Sequence, residues 1–172
     1  MTHDTAFEMA TSSIRFGPGV TREIGMDLAD MDLKRVMVLT DPNLSRLSPV
    51  ATVLESLTHS KIEFVLFDRV RVEPTDLSFQ EAIAAATQGK FDGFVAVGGG
   101  STIDTAKAAN LYSTYPPAEF LDYVNQPVGK GLPVPGSLKP LIAVPTTAGT
   151  GSETTGIAVS YTHLTLPTNR EV

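Results

Sequence analysis

Phe91-Asp92-Gly93-Phe94-Val95-Ala96-Val97-Gly98-Gly99-Gly100-Ser101-Thr102-Ile103-Asp104-Thr105-Ala106-Lys107 is the stretch that decides the fold. It reads as a buried strand, a glycine turn and a helix that opens on a hydroxyl. Three consecutive glycines let the backbone take positive φ and let a bulky ligand approach the main chain. The helix start adds unpaired N–H groups and the positive end of its dipole. Together these predict an anion site, most often one for phosphate. Ser101 and Asp104 have the [ST]-x-x-[DE] spacing of a helix cap. Lys107 follows on the same helix face as Asp104. The plainer reading is a strand-to-helix turn with a capped helix and a surface ion pair, but three glycines exceed what such a turn requires. The spacing is neither Walker A nor G-x-G-x-x-G.

Outward from this stretch, short apolar runs alternate with helical patterns. Residues 36–40 form one run, ended by Asp41-Pro42-Asn43; 62–67 form a second, ended by Asp68. Residues 94–97 are a third, and 141–144 a fourth, ended by Pro145. Near-continuous apolar strands predict burial on both faces. Between them, Val20, Ile24 and Leu28 recur at helical spacing, as do Val50, Val53, Leu54 and Leu57. Leu77, Ile83 and the alanines 84–86 form a third helical pattern, with Ser78 three residues before Glu81 as a capping box. This order predicts an α/β fold: a Rossmann-like parallel sheet with flanking helices. Residues 115–140, rich in Pro and Gly, read as a surface connection with a short helix near 119–123. No internal repeat is evident.

A second loop, Pro145-Thr146-Thr147-Ala148-Gly149-Thr150-Gly151-Ser152-Glu153-Thr154-Thr155, follows the fourth strand. It should emerge at the same carboxyl edge as the glycines, where open α/β sheets bind ligands. Its hydroxyls and amides suit phosphate, ribose or adenine; the alternative is a Ser/Thr/Gly loop with Thr150 or Ser152 as a helix cap. Asp41, at the end of the first strand, can accept both hydroxyls of a ribose. Equally, Asp41-Pro42 makes a good start to the next helix.

The 172 residues allow one domain with a real core and are too few for two large ones. With 42% hydrophobic and 19% charged residues, the composition is that of a globular protein. A net charge of −6 without a basic patch argues against nucleic acid or an anionic membrane as partner. No cysteine is present, which excludes disulfides, thiolate metal sites and a cysteine nucleophile. Residues 1–13 show neither a signal nor a transit peptide pattern, and no run approaches the roughly 20 apolar residues of a membrane span. The default location is the cytoplasm. His3, His59 and His163 are scattered, without metal-ligand spacing, and read as surface residues.

The paired loops, Gly98-Gly99-Gly100-Ser101-x-x-Asp104-x-x-Lys107 and Pro145-Thr146-Thr147-Ala148-Gly149-Thr150-Gly151-Ser152-Glu153, resemble the signatures of the iron-containing (group III) alcohol dehydrogenases. Five further runs are similar to the hydroxyacid-oxoacid transhydrogenase branch: Phe7-Glu8-Met9-Ala10, Val70-Arg71-Val72-Glu73-Pro74-Thr75-Asp76, Ala108-Ala109-Asn110-Leu111-Tyr112, Phe120-Leu121-Asp122-Tyr123 and Pro127-Val128-Gly129-Lys130-Gly131. The resemblance implies an NAD-binding domain over 7–159, the N-terminal part of a two-domain enzyme. Gly98, Gly99, Gly100 and Ser101 would hold the pyrophosphate. Asp41 would sit by the adenosine ribose and disfavour NADP by repelling a 2′-phosphate. Thr146, Thr147 and Thr150 would line the adenine and ribose side. Asp104 and Lys107 match the motif, with Lys107 adding positive charge near the cofactor or ordering the loop. The branch moves a hydride from a hydroxyacid such as 4-hydroxybutyrate to an oxoacid such as 2-oxoglutarate. The parent would be a homo-oligomer, and in eukaryotic relatives the mitochondrial matrix is the alternative location.

In the family a C-terminal helical domain supplies an Asp and three His ligands for iron or zinc, as a Lewis acid on the substrate oxygen. Those ligands are absent from this sequence, so no catalytic residue and no metal site is assigned. Residues 160–172 depart from the family and resemble a translated sequencing-adapter tail. The expectation is therefore a dehydrogenase gene cut short, inactive as it stands, with a non-native tail. Two other readings are a general iron-type alcohol or lactaldehyde dehydrogenase and a stand-alone nucleotide-binding module.

Overall fold

Strands β1 (Arg35–Leu39), β2 (Glu63–Phe67), β3 (Gly93–Gly98) and β4 (Leu141–Pro145) form one parallel sheet in the order β2-β1-β3-β4. These come from a computed structural model that describes residues 13–160 and 164–167. All four expected strands form, each within a residue or so of the boundaries read from the sequence. Helix α1 (Ile24–Asp30) precedes β1, and α2 (Ser48–His59), α3 (Asp76–Gly89) and α4 (Gly100–Thr114) connect the strands. A 3-10 turn, Val20–Glu23, leads into α1, so the expected Val20-Ile24-Leu28 pattern spans both.

The central strands show why continuous apolar runs were required. Met37, Leu39, Phe94 and Ala96 pack on one side with Ala82 and Ala86 of α3 and Ile103, Ala106 and Ala109 of α4. Val36, Val38, Val95 and Val97 pack on the other with Ile24 and Leu28 of α1 and Val50, Val53 and Leu57 of α2. Alternate side chains of each strand thus serve opposite cores. The expectation of two-sided burial holds for β1 and β3 only. In β2 the burial alternates, and Leu141, Ile142, Ala143 and Val144 of β4 are half-buried. Both are the outer strands of the sheet, with one neighbour each among the described residues.

Two local readings are corrected. The cap of α3 is Thr75, not Ser78. The Thr75 hydroxyl accepts from the N–H of Ser78, and the Ser78 hydroxyl accepts from the N–H of Thr75 at 2.8 Å. Ser78 is thus the third helical residue of a reciprocal cap. The 115–140 segment does contain its short helix, a 3-10 turn at Phe120–Asp122. It is more than a surface connection, because Tyr123, Val124 and Val134 are buried against Phe79, Ala108, Leu111 and Tyr112. The cause lies in α4, which is buried all round from Thr102 to Tyr112 and needs an apolar cover on its outer side.

Beyond β4, strands β5 (Ile157–Ser160) and β6 (Leu164–Pro167) pair antiparallel. Residues 1–12, 161–163 and 168–172 lie outside the described part, and with them His3, His163, the Phe7-Glu8-Met9-Ala10 run and most of the tail. No helix among the described residues is long and apolar enough to cross a membrane.

Candidate functional site

The strand order reverses between β1 and β3, and the loops that leave β1, β3 and β4 emerge at one edge, the position where open sheets bind ligands. Gly98 ends β3, Gly99 caps α4 and Gly100 opens it. None of the three needs positive φ: Gly99 is extended, at φ −80° and ψ −170°. What they need is room. A Cβ on Gly98 would lie 2.7 Å from Thr102 Cβ, one on Gly99 would lie 3.0 Å from Thr147 Oγ1, and one on Gly100 would lie 3.0 Å from Ser152 Oγ. The glycines therefore bring the Thr/Gly loop down onto the start of α4. At this edge positive φ falls instead on Gly149 and Gly151 of the second loop, which turns back on itself through N–H groups of Thr154 and Thr155 donating to Gly151 O.

The helix start has no side-chain cap. This overturns the capping reading of Ser101 and Asp104. Ser101 Oγ instead accepts from the N–H of Glu73 at 3.2 Å, and Asp104 Oδ2 accepts from the N–H of Val159 at 3.0 Å. Both side chains are committed to segments distant in sequence, so the opening amides of α4 keep their dipole for a ligand. Glu73 holds a left-handed backbone at φ 57°, a conformation rare outside glycine. Nothing in the sequence signalled Glu73 or Val159 as partners of the glycine helix.

Asp104 and Lys107 do not form a surface ion pair. Their side chains are 9% and 8% exposed, with Nζ 3.6 Å from Oδ1. Burial pushes the Asp104 carboxyl above its ordinary range, against the pull of the Val159 amide and Lys107. Burial likewise pushes the Lys107 ammonium down, against the attraction of Asp104.

Thr146, Thr147 and Thr150 are exposed beside the glycine turn. The ladder between β3 and β4 continues into the loops, with Thr146 N–H donating to Gly98 O at 3.0 Å. Thr150 Oγ1 accepts weakly from Ser152 N at 3.4 Å. Asp41 follows β1, and its Oδ1 accepts from the N–H groups of Asn43 and Leu44 at 2.9 and 3.1 Å. These bonds close the turn after β1; the next helical turn, Leu44–Arg46, has Asn43 at its cap and α2 has Leu47, so Asp41-Pro42 does not start a helix as expected. Next to Asp41 the Thr40 hydroxyl donates to Val97 O at 2.9 Å, tying the ends of β1 and β3 together. The structure thus brings the glycine turn, the threonine loop and the end of β1 to one edge. It withdraws Asp104 and Lys107 beneath that edge. His59 is exposed in the last turn of α2. Among the described residues no three His, Cys, Asp or Glu come together to hold a metal.

The family model described as iron-containing alcohol dehydrogenase matches residues 11–167. The chain belongs to the iron-containing alcohol dehydrogenase family. It is 64% identical over 168 residues to a mitochondrial hydroxyacid-oxoacid transhydrogenase of Bos taurus, covering 97% of this chain and 36% of that protein. The corresponding Xenopus laevis protein is 66% identical over 158 residues, covering 92% of this chain and 34% of its own length. The chain therefore spans about a third of the length of these relatives. Among solved structures, an alcohol dehydrogenase from Oenococcus oeni superposes with a TM-score of 0.79 at 33% identity, over 94% of this chain and 42% of that one. The fold expected for an iron-type dehydrogenase, a parallel sheet with flanking helices, is the fold observed.

Proposed function

We propose that this chain is the NAD-binding part of a hydroxyacid-oxoacid transhydrogenase. The observation that carries the nucleotide reading is the uncapped start of α4 behind a glycine turn, at the edge where the β3 and β4 loops meet. The amides of Gly100 and Ser101 and the helix dipole would bind the pyrophosphate, with Gly98 and Gly99 keeping the approach open. Thr146, Thr147 and Thr150 would contact the ribose and adenine side through their exposed hydroxyls. Asp41 would face the adenosine ribose. One carboxylate oxygen holds the local turn, and its negative charge would repel the 2′-phosphate of NADP. When bound, NAD would carry the hydride between a hydroxyacid of the 4-hydroxybutyrate class and an oxoacid of the 2-oxoglutarate class.

The described residues do not fit a metal site, and no step is assigned to one here. Identity above 60% to proteins named hydroxyacid-oxoacid transhydrogenase favours that branch over a general alcohol dehydrogenase. The word mitochondrial in those names favours that compartment over the cytoplasm expected from residues 1–13.

The test is calorimetric titration of the chain with NAD, NADP and inorganic phosphate. Saturable NAD binding, with NADP weaker, supports the reading; no binding of NAD removes it. Assay of the full-length gene product with hydroxyacid and oxoacid pairs, against simple alcohols, separates the two enzyme branches.

A further inference from the structure

Asp104 and Lys107 are charged, nearly enclosed, and bonded to the far end of the second loop. Asp104 Oδ2 accepts from the N–H of Val159 in β5 at 3.0 Å. Lys107 Nζ donates to Thr155 Oγ1 at 3.2 Å. Ser152, within the loop, also hydrogen-bonds Asp104, and the Glu153 carboxylate faces Lys107 electrostatically. Burying a charge pair is unfavourable unless its geometry is used, and apolar residues would fill the same space at least as well. The leading half of the segment these side chains hold, before the turn at Gly151, has little else to order it. Gly149 and Gly151 sit at positive φ with open space around them, and residues 145–150 are exposed. At its leading end the loop is fixed by the Thr146–Gly98 bond. Its trailing end is bonded by the α4 pair, beside buried Ala158 and the β5–β6 ladder.

We propose that Asp104 and Lys107 are positioning residues that clamp the trailing end of the 146–159 segment onto α4, holding the threonine loop against the glycine turn without touching the nucleotide. This rests on the NAD reading above, and of the two expectations for Lys107 it takes the ordering of the loop over positive charge near the cofactor. The pair has a direction: α4 carries both the anion-binding start and, one and two turns on, the clamp that sets the facing loop.

The experiment follows backbone amide exchange in the 172-residue chain by mass spectrometry, with NAD affinity read by calorimetry on the same samples. In Asp104→Ala, exchange over 146–159 is expected to rise at least tenfold while the β1 and β3 amides keep their protection, and NAD affinity to fall at least tenfold. Asp104→Asn keeps an acceptor for Val159 and should restore most of both. Thr155→Val, an exposed change that spares the core, should loosen the same segment severalfold and serves if Asp104→Ala does not fold. Val53→Ala, in the opposite core, should lower the melting midpoint and leave loop exchange and NAD affinity unchanged. Wild-type exchange over 146–159 in both Asp104→Ala and Thr155→Val overturns the clamp. So does a Lys107→Met variant that loses NAD affinity with the loop still protected, since that marks direct contact. If the wild-type chain binds no NAD, the nucleotide reading fails, and the exchange rates still decide the clamp.

Discussion

Thr146 N–H donates to Gly98 O at 3.0 Å, one step beyond the last strand pair, Gly98 with Pro145. The two signature loops therefore leave the sheet already bonded to each other. Their relative position is set by the parallel ladder and carried into the site.

Gly99 separates packing from binding. Its backbone, at φ −80°, suits any residue, and an added Cβ would meet only the Thr147 side chain, closest at Oγ1, 3.0 Å, an atom that can rotate away. Gly99→Ala should therefore lower stability by under about 1 kcal/mol. The same methyl narrows the approach to the α4 amides, so NAD affinity should fall about tenfold, or about 1.4 kcal/mol. Urea unfolding and calorimetry measure the two effects. Equal losses in both, or none in binding, would refute the cradle.

The turn bonds of Asp41 and its proposed place by the ribose can be split by substitution. Asp41→Ala removes the acceptor of the Asn43 and Leu44 amides and should destabilise the chain by about 1 kcal/mol. Asp41→Asn keeps that acceptor and removes the charge. Its melt should match wild type, while its preference for NAD over NADP should shrink several-fold. An Asp41→Asn variant with unchanged preference would leave Asp41 only its turn-closing role.

Much of the architecture was legible because strand burial is written in composition. The 36–39 and 94–97 runs of β1 and β3 are apolar at every position because alternate residues feed opposite cores. The partial exposure of β2 and β4 was not legible, since place in a sheet is a tertiary fact that a run of Leu, Ile and Val does not carry. The glycine turn and threonine loop were found from their chemistry. Ser101 and Asp104 were misassigned because their spacing satisfies a local rule while their partners, Glu73 and Val159, lie 28 and 55 residues away. Long-range partners of this kind leave no periodic trace. The burial of Asp104 and Lys107 was not legible for the same reason: helical spacing gives their shared face but not what covers it.

Gly25 fixes α1 against α2. Its N–H donates to Ser56 Oγ at 2.9 Å, and that hydroxyl donates to Arg22 O at 2.7 Å. A Cβ there would run into the Ser56 carbonyl and lie 2.6 Å from Ser60 Oγ. Backbone cannot yield as a side chain can, so Gly25→Ala should cost about 2 kcal/mol. NAD affinity should be unchanged, because α1 lies on the opposite core from α4. Urea midpoints test this, and a wild-type midpoint would show that the helices separate freely.

The outer strand β4 has only β3 beside it among the described residues, and its apolar side chains are half-buried. An exposed, apolar strand edge is a template for pairing with another chain. The 172-residue chain should self-associate at micromolar concentration by sedimentation velocity. Ile142→Lys should reduce that association at some loss of stability. A monodisperse wild-type monomer would contradict this.

Asp104 and Lys107 should titrate against stability with opposite slopes. For Asp104 the folded carboxyl is raised above its ordinary 3.8, chiefly by burial. The folded state then binds the proton more tightly than the unfolded one, so this group's contribution falls as pH climbs from about 3.8 through the raised value. For Lys107 the folded ammonium lies below its ordinary 10.5, again chiefly by burial. Its contribution rises as pH climbs through the lowered value and levels off above 10.5. Each slope is read as wild type minus variant, Asp104→Asn in the acid range and Lys107→Met in the alkaline range, so that the groups common to both proteins cancel. At neutral pH, Lys107→Met leaves a buried carboxylate without its counter-charge and should destabilise by about 3 kcal/mol. The double change Asp104→Leu with Lys107→Met should recover most of that loss, since two apolar side chains fill the site without desolvation. If the clamp orders the threonine loop, this repaired fold should still bind NAD weakly. Full NAD affinity in the double variant would mean that the charges do nothing beyond holding α4 in the core.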